Sequence, residues 1–316
     1  MYMSISLDRI LNLEPRAFLA HVKASPYSLS NDVLLVSSEF IKHVFVDSFL
    51  LPIANVSSTL HFFYENKRVQ DSVLSEGKVE KICQALRTSP GGRTPEQIDN
   101  FERKSLYILQ RVSDLSQKIK IGPVTVCYDE EMEDYKGAEC FRGYNFQTVI
   151  FGRSLTECTE KEIDAVIAHE LAHCRRKDTL RDLALNWLVF GTYLIFFRCL
   201  KFKHFLVAMM LTKGISAIIF LYMERRTELA ADKEGMSYLN SSEGAIQDFH
   251  SLLKKNYRIK YAPTQEILQL DPDITLWQIK ILKTFFISPE GNNRIEVVPL
   301  TERLAQALAF QPNASS

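Results

Sequence analysis

Two apolar runs lying close together constrain the fold of this chain more than any other feature. Leu183–Phe197 has 15 residues without a charge, and Phe205–Met223 has 19, interrupted by Lys213 alone. The short basic segment Arg198–His204 joins them. Two such runs with a short connection form an antiparallel helical hairpin. A bilayer span needs about 20 apolar residues. The first run approaches that length once Cys199 and Leu200 extend it past Arg198, whereas Lys213 is costly at mid-membrane unless paired or snorkelling. The pair suits a membrane-spanning hairpin; the alternative is a buried helical pair in a soluble domain.

Composition limits what else the chain can be. It holds 38 basic and 38 acidic residues and is 46% hydrophobic, with mean hydropathy −0.08. Those values exclude a disordered chain, a fibre and a many-span transporter. A zero charge balance with no basic block argues against nucleic acid as a partner. The six cysteines (83, 127, 140, 158, 174 and 199) contain no C-x-x-C pair, so the expectation is six reduced thiols. No secretory signal is visible around Asp8, Arg9 and Glu14.

Along the chain, Val33–Val36, Phe40–Val46 and Phe49–Ile53 suggest short buried elements. Ser89–Pro95, rich in proline and glycine, marks a loop and a boundary. Pro95–Ile119 shows helical spacing, Gly122–Asp129 suggests a strand, and Cys140–Phe151 suggests a hairpin turning near Gly143. Thr159-Glu-Lys-Glu162 is a capping box. The helix it opens meets no Pro or Gly before Gly191.

That helix carries the strongest chemical signal, His169-Glu170-Leu171-Ala172-His173. Histidines four apart lie on one helical face and can bind one Zn²⁺ together. Glu170 points partly into the same space, where it can serve a metal-bound water as general base. A catalytic zinc needs a third protein ligand and an open position. Glu228-Leu-Ala-Ala-Asp232 is the best source: Glu228 completes a His₂Glu set, and Asp232, one turn on, can hold a ligand imidazole from behind. Glu224, Glu234, Glu243 and His250 are nearby alternatives without so small-residue a setting. A metzincin is excluded, because Arg176 and Thr179 stand where it needs a glycine and a third histidine.

Counting shows how distant ligands meet. From His173 to Leu200 is 27 steps, and from Phe205 to Glu228 is 23. The difference of four is roughly 6 Å of helix, so an antiparallel hairpin returns Glu228 close to the level of His173.

With these motifs the chain resembles the membrane zinc metallopeptidases that include HtpX, the type 1 CAAX prenyl endopeptidases and the OMA-type mitochondrial proteases. The resemblance covers roughly residues 97–255 and rests on Leu155-Thr-Glu, Ile167-Ala-His-Glu-Leu-Ala-His173 and Glu228-Leu-Ala-Ala-Asp232. It implies one Zn²⁺ per chain on His169, His173 and Glu228, with Glu170 as base. It also implies an edge strand from Cys140–Phe151, with Thr148, Val149 and Ile150 pairing an extended substrate. Relatives commonly carry a His-Pro…Arg-Ile segment near the C-terminus. The nearest segments here, leading to Arg294 and Arg303, lack the histidine.

The expected fold class is α+β: a mainly helical zincin-like metallopeptidase domain, a small antiparallel edge sheet and an inserted apolar helical hairpin. Residues 1–96 form an N-terminal region of unassigned role, 97–260 the peptidase core with hairpin 183–223, and 261–316 a helical and loop region packing on that core. The expected function is a zinc-dependent endopeptidase acting on membrane-associated or misfolded proteins; the alternative is an inactive membrane adaptor or chaperone. Its partners would be a protein or peptide substrate and a lipid bilayer. Arg175, Arg176, Lys177, Arg181, Arg225 and Arg226 at the catalytic feet outnumber Arg198, Lys201 and Lys203 at the tip, which places the catalytic domain in the cytoplasm.

Overall fold

The computed structural model describes residues 6–23, 73–88, 93–129, 138–142, 147–270, 275–293 and 298–312. The apolar clusters between 33 and 53, Gly143 and Arg294 lie outside them. Eleven α-helices are described: α1 Leu7–Leu11, α2 Pro15–Lys23, α3 Glu76–Thr88, α4 Pro95–Lys118, α5 Glu160–Arg176, α6 Asp178–Cys199, α7 Phe202–Leu239, α8 Glu243–Tyr261, α9 Thr264–Leu270, α10 Leu276–Ile281 and α11 Leu300–Ala309. Three strands accompany them: β1 Thr125–Tyr128, β2 Ala138–Arg142 and β3 Gln147–Phe151. The chain is mainly helical with a small sheet, as expected.

Local chemistry sets the two helix starts that matter most. The Thr159 hydroxyl accepts the Glu162 N–H, and Glu162 accepts the Thr159 N–H in return, at 3.3 and 2.8 Å. Thr94 and Gln97 form the same box ahead of α4, with Pro95 in its first turn. Each box satisfies amide groups that an open helix end leaves without partners.

Helix α5 lies between two apolar cores. On one side Ile163, Ile167 and Leu171 pack with Phe101, Ile108 and Val112 of α4, with Val149 and Phe151 of the sheet, and with Val79 and Cys83 of α3. On the other side Ala165 touches a second core built from Phe18 of α2, Phe249 and Leu253 of α8, and Leu300 and Leu304 of α11. Segments from the first 96 residues thus contribute to both cores.

Three expectations about local structure are corrected. The sheet is mixed, with order β1-β3-β2: β1 runs parallel to β3 and β2 antiparallel to it. Thr148, Val149 and Ile150 therefore sit in the central strand, paired on both sides, and cannot offer a substrate edge. The outer strand is β2, which among the described residues pairs with β3 alone. Secondly, the helix opened at Thr159 does not run on to Gly191. It ends at Lys177, which takes the left-handed conformation (φ 59°) and donates its N–H to the Cys174 carbonyl, after which α6 begins. A lysine there costs roughly 1–2 kcal/mol of backbone strain, and the turn it makes positions Asp178. Thirdly, Cys140 and Cys174 are joined in a disulfide across 34 residues. Reading all six cysteines as thiols missed that β2 folds against α5.

Helices α6 and α7 form the antiparallel hairpin. Both are long and apolar enough to cross a membrane, and neither buries that stretch inside the protein. Leu188, Ile195, Phe197, Leu211 and Ile215 are each more than half exposed. An apolar surface this continuous on a soluble monomer is unusual, and a buried helical pair does not describe it. Past the apolar stretch α7 continues without a break into the protein body, where its small residues let it press against α5. A Cβ built on Gly235 would stand 2.9 Å from the His169 backbone nitrogen.

Candidate metal centre and active site

Helix α5 supplies two imidazoles one turn apart, and the far end of α7 supplies a carboxylate. His169 Nε2 and His173 Nε2 face each other at 3.0 Å. Glu228 closes the triangle, with Oε2 3.4 Å from His169 Nε2 and Oε1 3.3 Å from His173 Nε2. Two atoms bonded to one tetrahedral Zn²⁺ at about 2.0–2.1 Å stand about 3.3 Å apart. The three side chains fit such an ion in donor type and in spacing, and they form a possible metal-holding cluster among the described residues.

Each imidazole is held from behind by an acid. His173 Nδ1 is 2.9 Å from Asp178 Oδ2. His169 Nδ1 is 2.8 Å from Asp232 Oδ1, close but off the line of an N–H bond. Asp232 is itself clamped by Arg303, whose Nε and Nη2 donate to its two oxygens at 2.7 and 2.6 Å. Arg303 also lies over the Phe249 ring at 4.4 Å. A chain of contacts thus runs from α11 through Arg303 and Asp232 to His169. Such partners set which ring nitrogen carries the proton and how the ring is turned.

These contacts decide the charge states. Burial disfavours the imidazolium of His169, but Asp232 and Glu228 outweigh it and raise the pKa to about 10. His173 behaves alike, with burial opposed by Asp178 and Glu228, and rises to about 9. Glu228 and Asp232 go the other way. Burial would raise both, but the two histidines hold Glu228 far below the usual carboxylate range, and Arg303 with His169 holds Asp232 below it.

Glu170 stands beside the cluster. Its Oε1 is 3.9 Å from His169 Nε2, and its Oε2 accepts the backbone N–H of Cys140 at 2.7 Å. Burial pushes its pKa up, against the lowering effect of the two histidines. A carboxyl with a raised pKa and one oxygen turned toward the ligands has the attributes of a general base.

Sequence reasoning missed Asp178, which becomes a partner of His173 because the chain turns at Lys177. It left Arg303 without a role, and Arg303 proves to be the cation on Asp232. His250, one of the alternatives to Glu228, and two nearby tyrosines make other contacts. His250 packs on Phe18, the Tyr257 hydroxyl lies 3.4 Å from His21 Nε2, and the Tyr261 hydroxyl donates to the Pro289 carbonyl.

A partly buried His₂Glu cluster on two packed helices, with a glutamate beside it, fits a metallopeptidase. The chain belongs to peptidase family M48, whose family model matches residues 108–299. That span holds all three cluster residues, Glu170, Asp178 and Asp232, and stops short of Arg303. Neither a curated protein nor a solved structure matches the chain.

Proposed function

We propose that the protein is a zinc-dependent endopeptidase anchored in a bilayer by the α6–α7 hairpin and acting on membrane-associated or partly unfolded proteins. The observation that carries this reading is the triangle of His169, His173 and Glu228, with separations of 3.0 to 3.4 Å and Glu170 at its side. Zn²⁺ held there supplies a Lewis acid that polarises a carbonyl and acidifies a water. Glu170 Oε1 faces that space, takes the proton from the attacking water and delivers it to the leaving amine. Asp178 and Asp232 keep the two imidazoles oriented through the cycle. The extended substrate lies along the outer strand β2 instead of β3, with backbone pairing supplying affinity.

The HtpX, prenyl endopeptidase and OMA-type group remains the subfamily best supported by the motifs. The exposed apolar length of α6 and α7 supports the membrane anchor. Met223, where the apolar run ends, stands five residues before Glu228 on the unbroken helix α7, about 8 Å of rise, so the site lies near the bilayer surface. The basic residues at the hairpin's feet support a cytoplasmic catalytic domain. Cytosol is reducing, so a disulfide on that side is exposed to reduction.

The test is the Glu170→Gln variant of the full-length protein in detergent. It should bind one zinc per chain yet fail to cleave casein. Cleavage at the wild-type rate would remove Glu170 from the mechanism. Carbonate extraction tests the anchor separately, since release into the soluble fraction would contradict it.

A further inference from the structure

Cys140 meets the catalytic helix in two ways at once. Its backbone N–H donates to Glu170 Oε2 at 2.7 Å, and its sulfur is bonded to Cys174. Glu170 and Cys174 are four apart, so both lie on one face of α5, a turn from each other. Strand β2 is thus fastened to the helix at two successive turns through a single residue. In β2 Cys140 stands opposite Val149. Alternate residues of an antiparallel pair turn their N–H away from the partner strand, which leaves the Cys140 N–H for the carboxylate. With Oε2 occupied, Oε1 is the oxygen that looks toward the histidines.

We propose that the Cys140–Cys174 disulfide is a positioning device for the general base, and that reducing it slows catalysis without emptying the metal site. The inference rests on the peptidase reading above. A single hydrogen bond to a carboxylate shifts an equilibrium by about ten- to a hundredfold, so alone it fixes the strand's amide less firmly than a covalent link. The covalent link keeps Cys140 within reach of Glu170 at all times. Cys174 adjoins His173 but is not a member of the His169, His173 and Glu228 cluster, so opening the bond leaves those three in place. The bond opens when a phosphine delivers two electrons to the sulfur pair. Two protons from water complete the thiols, and the water oxygen leaves on the phosphine as its oxide.

The experiment uses the full-length, zinc-loaded protein in detergent, oxidised and then treated with a water-soluble phosphine. Thiol alkylation read by mass should show Cys140 and Cys174 protected before treatment and open after it. On a quenched peptide substrate, kcat should fall about tenfold or more. KM should change less, zinc content should hold, and reoxidation should restore the rate. The Cys140→Ser, Cys174→Ser double variant should sit at the reduced level and ignore the phosphine. Cysteines open to alkylation in the oxidised protein would overturn the proposal. So would an unchanged or faster kcat after reduction, or activity lost in step with zinc. Zinc-loaded wild type inactive in both redox states would instead overturn the peptidase reading, and this inference with it.

Discussion

Gly235→Ala tests whether the α5–α7 contact sets the ligand geometry. A methyl group there would meet the His169 nitrogen at 2.9 Å, the Ala168 carbonyl carbon at 3.1 Å and its oxygen at 3.3 Å. All three are backbone atoms of α5, so no side chain can swing aside. Comfortable contacts with carbon lie at about 3.5–4.0 Å, so the helices must part by about 0.6 Å or more. Overpacking of this kind costs about 1–3 kcal/mol. Glu228 lies two turns earlier on the same rigid helix, so the displacement is passed to its carboxylate. Its oxygens already stand 3.3 and 3.4 Å from the imidazole nitrogens, about the limit for sharing one zinc with bonds of 2.0–2.2 Å. Zinc affinity, measured by competition with a chromophoric chelator, should fall at least about tenfold, with casein cleavage falling alongside it. Gly77→Ala is the control, because nothing lies within 4 Å of a Cβ at that position. It should be neutral or stabilise by a few tenths of a kcal/mol. A Gly235→Ala protein that binds zinc and cleaves casein like wild type would refute the contact argument.

Other positions test the rest of the site. Asp178→Ala should weaken zinc binding about 10- to 100-fold by freeing the His173 ring, whereas Asp182→Ala, which removes only an exposed partner of Arg181, should not; equal effects in the two would count against Asp178. Arg303→Met leaves Asp232, 4% exposed, without its guanidinium. It should cost about 3–5 kcal/mol, read as a lower urea midpoint; an unmoved midpoint would show that the pair does not support the fold. Gly244→Ala places a methyl 1.9 Å from the Lys161 carbonyl oxygen and should lower the melting temperature by several degrees; an unchanged melting curve would mean that α8 does not pack on α5 as described.

Much of the site was legible before any coordinates because its chemistry is local. Histidines at 169 and 173 share a helical face whatever surrounds them, and the Thr159 capping box declares that helix within four residues. The hairpin count brought Glu228 back toward His173, although its first arm is two helices turning at Lys177 and only its second arm is the single helix the count assumed. The helical stretch 95–119 and the strand pair of Cys140–Phe151 were legible from periodicity.

Tertiary structure decided what depends on segments meeting across the chain. Periodicity identifies strands but not their order, so only the folded sheet shows β3 in the centre and β2 outside. Nothing around Lys177 announces a left-handed residue, since Gly and Asn are the usual occupants of that conformation; its turn brings Asp178 to His173. Arg303 finds Asp232 from 71 residues away, and Cys140 finds Cys174 because β2 packs on α5. The sequence by itself determined which residues could hold a metal and act on a peptide bond, because spacing along a helix is intrinsic to the chain. Only the tertiary structure determined what holds those residues still, because buried charge pairs and strand-to-helix contacts exist only once distant segments have packed.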